Sequence, residues 1–222
     1  PGYRREFALA LFYPNALFVP LVLLSQRYGT DSQQVLGLFF YTLLFSPLYF
    51  STCGLFYADM ARPTVPWRRL LHPAFIVSAA GILLCLTGSQ WLVPGFVLQA
   101  ARQVGNMAVV LLLIVLGGAI YIDLRDRSHL ALREIIVFVL VKNFLFPAVA
   151  LIVIAWVQPP PSVAVILAVQ SAVPPITSLP IMAARAGGNR ALLSQFLVAS
   201  FGASLVTIPL VLTALAWIVP GI

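Results

Sequence analysis

Charge is scarce in this chain. Only 9% of its 222 residues are charged, with six Asp and Glu against 13 Lys and Arg. An ordinary soluble domain carries about 25% charged residues. A soluble fold of this length could not hide the apolar remainder, because even a large domain leaves roughly a quarter of its surface in water. Cysteine is also scarce. Cys53 and Cys85 both lie inside apolar stretches, where a small packing residue is the natural reading. Neither a disulfide framework nor a zinc spacing can be built from two. The two histidines, His72 and His129, have no partner set for a metal. The positive balance of +7 does not indicate nucleic acid, because the basic residues sit between apolar runs and form no stripe with interleaved aromatics. No nucleophile with a base stands at membrane depth, so an intramembrane enzyme is disfavoured. No cofactor is expected.

What is present is hydrophobic: 61% of the residues, with a mean hydropathy of +1.02. Seven apolar segments can be marked, at 7–25, 35–57, 73–91, 104–122, 131–157, 163–184 and 192–219. Spans of about 20 residues are the unit that crosses a bilayer. The chain therefore reads as an all-α polytopic membrane protein with seven visible transmembrane helices and short connections. The first run is broken by Pro14, Asn15 and Pro20 and has no small-residue cleavage site, so it reads as a span and not a signal peptide.

Lys and Arg set the orientation. Ten of the 13 lie on one side, in the start and in the second–third, fourth–fifth and sixth–seventh connections; the opposite side has Arg27. The start is expected in the cytoplasm and the end outside, as a multi-pass protein of the cell (inner) membrane. A rhodopsin-type receptor has the reverse orientation. A seven-span sensor remains the rival reading.

Two of the spans share a motif. The first contains Pro14-Asn15 and Pro20; the sixth contains Pro174-Pro175-Ile176-Thr177-Ser178-Leu179-Pro180. In each, two prolines stand six apart and a glycine turn follows, at Gly29 and at Gly187-Gly188. The next spans also match, with Pro47 and Pro209. Proline removes a backbone donor and clashes with the carbonyl four residues back, so each pair is expected to unwind the middle of its span. Unwound backbone at membrane depth is tolerated only where it is buried in protein or lines a watery cavity. Paired breaks at corresponding places in two repeats point to a transporter binding site.

The copies are offset by about 160 residues, and three spans precede the second break while none precedes the first. Equal copies of five would invert the second relative to the first. The expectation is thus the last seven helices of a ten-helix, 5+5 inverted-repeat carrier. Residues 1–58 would end the first repeat, 59–72 would be a cytoplasmic loop and 73–222 would form the second repeat. An inactive truncated carrier is the alternative, and the upstream coding sequence separates the two.

These residues resemble the auxin efflux carrier family, which includes plant PIN proteins and bacterial organic-acid permeases. The resemblance rests on Pro14-Asn15, on Ala172-Val173-Pro174-Pro175 through Ala183-Ala184-Arg185-Ala186-Gly187-Gly188, and on Lys142-Asn143-Phe144-Leu145-Phe146-Pro147. His72-Pro73, Leu116-Gly117-Gly118 and Ser204 to Pro209 follow in the expected order. Pro175 and His72 depart from the usual pattern. The resemblance implies crossed helices at the midplane, elevator-type movement, homodimers in the lipid bilayer, and a small organic anion as substrate.

The candidate binding residues are Asn15, Asn106, Lys142, Gln170, Thr177 and Ser178, with Pro14, Pro20, Pro174, Pro175 and Pro180 as crossover and hinge positions. Lys142 lies about 16 Å into its span at 1.5 Å per residue. It could attract a carboxylate, snorkel to the cytoplasmic face, or fix an interhelical contact. Asn15 could cap unwound backbone or bind substrate. Thr177 and Ser178 could meet a carboxylate or bond back to their own helix. Asn106 and Gln170 could equally tie helices together, and Arg102 is expected to anchor at the interface. No Asp or Glu is expected well inside a span.

Overall fold

The computed structural model describes residues 3–52, 73–125, 130–185 and 187–219. Cys53, the 59–72 loop with its arginines and His72, Arg127 and His129 fall outside the described residues. Every regular element among those described is helical. In chain order they are α1 (Arg4–Phe12), α2 (Phe18–Tyr28), α3 (Gln33–Thr52), α4 (Pro73–Leu86), a single 3-10 turn (Ser89–Leu92), α5 (Gly95–Arg125), α6 (Leu132–Val139), a π-helical turn (Leu140–Leu145), α7 (Phe146–Val157), α8 (Pro161–Ala172), α9 (Leu179–Arg185) and α10 (Arg190–Ile218).

Among the described residues, two helical stretches are long and apolar enough to cross a membrane: Leu132–Val157 with a mean hydropathy of 2.5 and Arg190–Ile218 with 2.0. At 1.5 Å per residue they extend about 39 and 43 Å, beyond the roughly 30 Å hydrocarbon core. Their outward faces are apolar, with Ile152, Leu205 and Val206 exposed. Trp156 near the end of α7, Trp217 near the end of α10 and Trp91 after α4 are all exposed, as residues of an aromatic belt are. Pro209 sits inside α10 without ending it.

Both proline-bearing spans are broken, as expected, but over a shorter distance than the paired prolines suggest. Tyr13, before Pro14, has φ −108° and ψ 82°. Val173, before Pro174, has φ −70° and ψ 148°. Proline forces its predecessor out of the helical region, so α1 and α8 both stop there. Pro20 and Pro180 do not unwind anything. They are the third residue of α2 and the second of α9, where the backbone N–H would have no partner in any case. Pro20→Ala and Pro180→Ala should therefore shift the melting temperature by no more than a few degrees, whereas Pro14→Ala should shift it measurably.

Each broken span ends on a glycine with positive φ. Gly29 (φ 86°) donates to the Ser25 carbonyl, and Gly187 (φ 82°) donates to Ala184. Positive φ is a conformation glycine adopts without strain. Helix α5, which holds the fourth apolar run, is longer than that run implies: it starts at Gly95, nine residues before Val104. This moves Arg102 from the edge of the apolar run to inside a helix, while Asn106 was within the run already.

Two cores flank the breaks. One joins α2, α3, α7, α8 and α10 around Leu38, Ile154, Val169 and Leu215. The other joins α1, α6, α9 and α10 around Leu9, Tyr13, Phe138 and Phe196. Phe138 stacks on Phe196 at 4.5 Å, with Phe7 set edge-on to both. Helix α8 carries Ala164, Ala168 and Ala172, each fully buried. Small residues four apart let backbones approach closely, the usual way helices associate in lipid. The approach is tight at Gly37 of α3, where an added Cβ would stand 2.7 Å from Ile166 of α8.

Candidate functional site

The two breaks meet. Pro14 and Pro175 form an antiparallel bridge. The Asn15 N–H donates to the Pro174 carbonyl at 2.7 Å, and the Ile176 N–H donates to Tyr13 at 3.0 Å. Backbone groups released by each break are thus satisfied by the other, which is how irregular backbone survives away from water. The C-terminal ends of α1 and α8 and the N-terminal ends of α2 and α9 all converge here, so partial charges of both signs surround one point.

Side chains reinforce the crossing. Gln170, buried in α8, donates from Nε2 to the Ala16 carbonyl at 2.6 Å. Asn15, 1% exposed, accepts from the Phe18 N–H through Oδ1 at 3.1 Å, serving the start of α2. The Gln170 Oε1 and the Asn15 Nδ2 are buried with no partner. Such groups cost free energy unless something pairs with them. Gln170→Leu should lower unfolding stability by about 1–3 kcal/mol, because the Ala16 carbonyl would be left unpaired. Thermal unfolding in detergent reads this.

Lys142 is brought to the crossing by the π-helical turn. It is 1% exposed, although it lies in an apolar span. Its Nζ donates to the Ser171 carbonyl at 3.2 Å and stands 5.4 Å from the centre of the Phe146 ring. Ser171 is in the last turn of α8, so the cation neutralises a helix C-terminus. Among the described residues no carboxylate pairs with it. The side chain is buried and makes an interhelical contact, one of the readings the sequence allowed, and does not snorkel. The π turn has an identifiable cause in Pro147, two residues after it, which cannot donate to the preceding turn. Asn143 braces the same turn against α10: its Oδ1 accepts from the Ser200 hydroxyl at 2.8 Å and its Nδ2 donates to the Ser200 carbonyl at 3.2 Å.

A cavity of about 440 Å³ opens at this place, with Pro14, Lys142, Gln170 and Ser171 in its wall. Phe12, Tyr41 and Phe146 supply its aromatic side. Tyr41 and Ser171 are residues the sequence did not single out, since neither stands out from its own apolar run. Thr177 and Ser178 lie in the second break, half-buried, but do not line this cavity. The Ser178 carbonyl receives the Met182 N–H to start α9, and its hydroxyl approaches the Met182 sulfur at 3.7 Å. Asn106 is not at the crossing. It is exposed on α5 and lines a separate cavity between α4 and α5. Among the described residues no three His, Cys, Asp or Glu side chains gather as a metal site would require.

Glu6 was not foreseen. It precedes the first apolar run by one residue, yet it is only 6% exposed. Its Oε1 accepts from the Asn189 N–H at 3.1 Å, and Asn189 caps α10 through Leu192. It ties the start of the first broken helix to the turn after the second.

A family model described as "Membrane transport protein" matches residues 59–212, well over half of the chain. The chain belongs to the membrane transport protein family, that of the auxin efflux carriers. The match takes in Lys142 and the second break; the first break precedes it. No curated protein and no solved structure matches the chain. The family and the apolar helices make it a membrane protein with a transport role.

Proposed function

We propose that this transport protein is a secondary carrier of a small organic anion that binds where its two broken helices cross. The carrying observation is the cavity of about 440 Å³ at the Pro14–Pro175 bridge, with the buried Lys142 in its wall. An ammonium has three donors, and the Ser171 carbonyl takes one. The other two suit a carboxylate, which is best recognised by charge-assisted hydrogen bonds. Asn15, like Thr177 and Ser178, lies outside the cavity wall, but its unpaired Nδ2 adjoins Pro14, which is in that wall. Gln170 Oε1 is an unpaired acceptor, so the preferred acid carries an O–H or N–H donor besides its carboxylate.

In this reading the chain has seven spans, with its two broken helices at equivalent places of inverted repeats. Its start faces the cytoplasm and its end the outside. The ten-to-one distribution of cationic loop residues supports that orientation. Access alternates as one helix bundle moves against the other around the crossing.

Uptake of labelled malate, malonate and indole acetate into proteoliposomes tests the proposal. Malate and indole acetate, which carry a donor, should move faster than malonate. If no carboxylate is transported, and Pro14→Ala with Pro174→Ala changes nothing, the reading is wrong.

A further inference from the structure

Helix α5 carries Gln99, Arg102, Gln103 and Asn106. The spacing i, i+3, i+4, i+7 places all four on one helix face, and all are exposed. They line a cavity of about 910 Å³ between α4 and α5 that includes none of the residues at the crossing. Gly81 and Gly95 are also in its wall, and at each a Cβ would meet nothing within 4 Å. The space is therefore open and not a close helix contact. Arg102 has no ion-pair partner among the described residues.

The polar face of α5 extends from Arg102 inward to Asn106, so its depth in the membrane decides what must face it. Helix α5 has 31 residues, about 46 Å at 1.5 Å per residue, against a hydrocarbon core of roughly 30 Å. A centred helix leaves about 8 Å clear at each end. Arg102 is then at the membrane boundary, about 10 Å from the helix start, and Asn106 is about 16 Å in. A polar face that continues below the boundary needs water there. The arginine has a fixed fork of donors for a carboxylate, and the three amides add neutral donors.

We infer that this face forms an anion-collecting vestibule, a second site for a small carboxylate-bearing anion, separate from the crossing and opening at the end of the molecule remote from the arginine-rich loops. Its purpose as a collecting site rests on the carrier reading, and its depth in the membrane rests on α5 being one of the seven spans of that reading. The vestibule concentrates anions by the field of Arg102 before they reach Lys142.

The test uses the full-length chain in proteoliposomes, carrying Asn106→Cys in a Cys53→Ala, Cys85→Ala background. Reaction is followed with two methanethiosulfonates, one bearing a sulfonate and one a trimethylammonium group, added to either side. The anionic reagent should react about tenfold faster than the cationic one relative to their rates with a free thiol, as one nearby charge dictates. Arg102→Gln should abolish that preference. Gln103→Cys serves as a second position if the first variant does not fold. A thiol unreactive from both sides at both positions, or a preference unchanged by Arg102→Gln, overturns the inference. A preference for the anionic reagent in a protein that moves no carboxylate would uphold the vestibule and sink the carrier reading.

Discussion

Lys142→Met should reduce carboxylate uptake by about 10- to 100-fold at subsaturating concentration while leaving the protein folded. Hydrogen bonds to a charged group contribute about 1.5–3 kcal/mol, and each 1.4 kcal/mol is about tenfold in affinity. The loss should fall on KM if the cation holds substrate equally in all states. Methionine matches the unbranched stem of lysine and fills the same space between α8 and the π turn. One thing is lost on the folding side: the Ser171 carbonyl of α8 loses its donor. One thing is gained, because an ammonium buried without a carboxylate partner is costly to hold away from water. The melting temperature should therefore hold or rise. Uptake kinetics beside thermal unfolding in detergent separate the two effects. Unchanged uptake with a lowered melting temperature would make Lys142 a cap of α8 and nothing more.

Asn15→Asp should be comparably severe for transport and should also lower the melting temperature, because a carboxylate replaces the amide at a position only 1% exposed. Aspartate keeps the oxygen that accepts from the Phe18 N–H, so α2 still starts where it does. It replaces the unpaired Nδ2 with an oxygen and introduces negative charge beside Pro14. A unit charge acting over roughly 7 Å at an effective dielectric near 20 costs an approaching anion about 2–3 kcal/mol, on the order of 100-fold in affinity. Asn15→Leu removes both functions, so it should lose stability as well as transport. Transport that survives Asn15→Asp, with the loss confined to Asn15→Leu, would show that Asn15 serves the start of α2 and does not face the substrate.

Much of the fold was legible because membrane helices announce themselves by composition. The seven apolar runs correspond to helices or broken helices wherever residues are described, with ends that differ by a few residues. Larger differences have local causes. The start of α5 at Gly95 was missed because Gln99, Arg102 and Gln103 interrupt the apolar run, yet polar residues that face a cavity sit comfortably in a helix. The width of the breaks was overestimated because Pro20 and Pro180 were treated like Pro14 and Pro174. A proline in the first turn of a helix removes only an N–H that has no helix partner there, whereas Pro14 and Pro174 follow a helix and force Tyr13 and Val173 out of it.

The site was legible in part. Asn15, Lys142 and Gln170 do come to the crossing, whereas Asn106 belongs to another cavity and Thr177 and Ser178 stand beside the break outside the cavity wall. Tyr41, Ser171 and Glu6 carried no signal, because a single tyrosine, serine or helix-start glutamate looks the same whether it meets a partner or solvent.

By itself the sequence determined the bilayer as solvent, the helical segments and the two points where helices must stop. Those follow from composition and from the sterics of the residue before proline, which act within a few residues. Only the tertiary structure decided that the breaks at Pro14 and Pro175 pair with each other, that Gln170 reaches Ala16, and that a π turn carries Lys142 to the end of α8. Each is a contact between residues 29 to 161 positions apart, and such contacts depend on how whole helices pack, which no local pattern encodes.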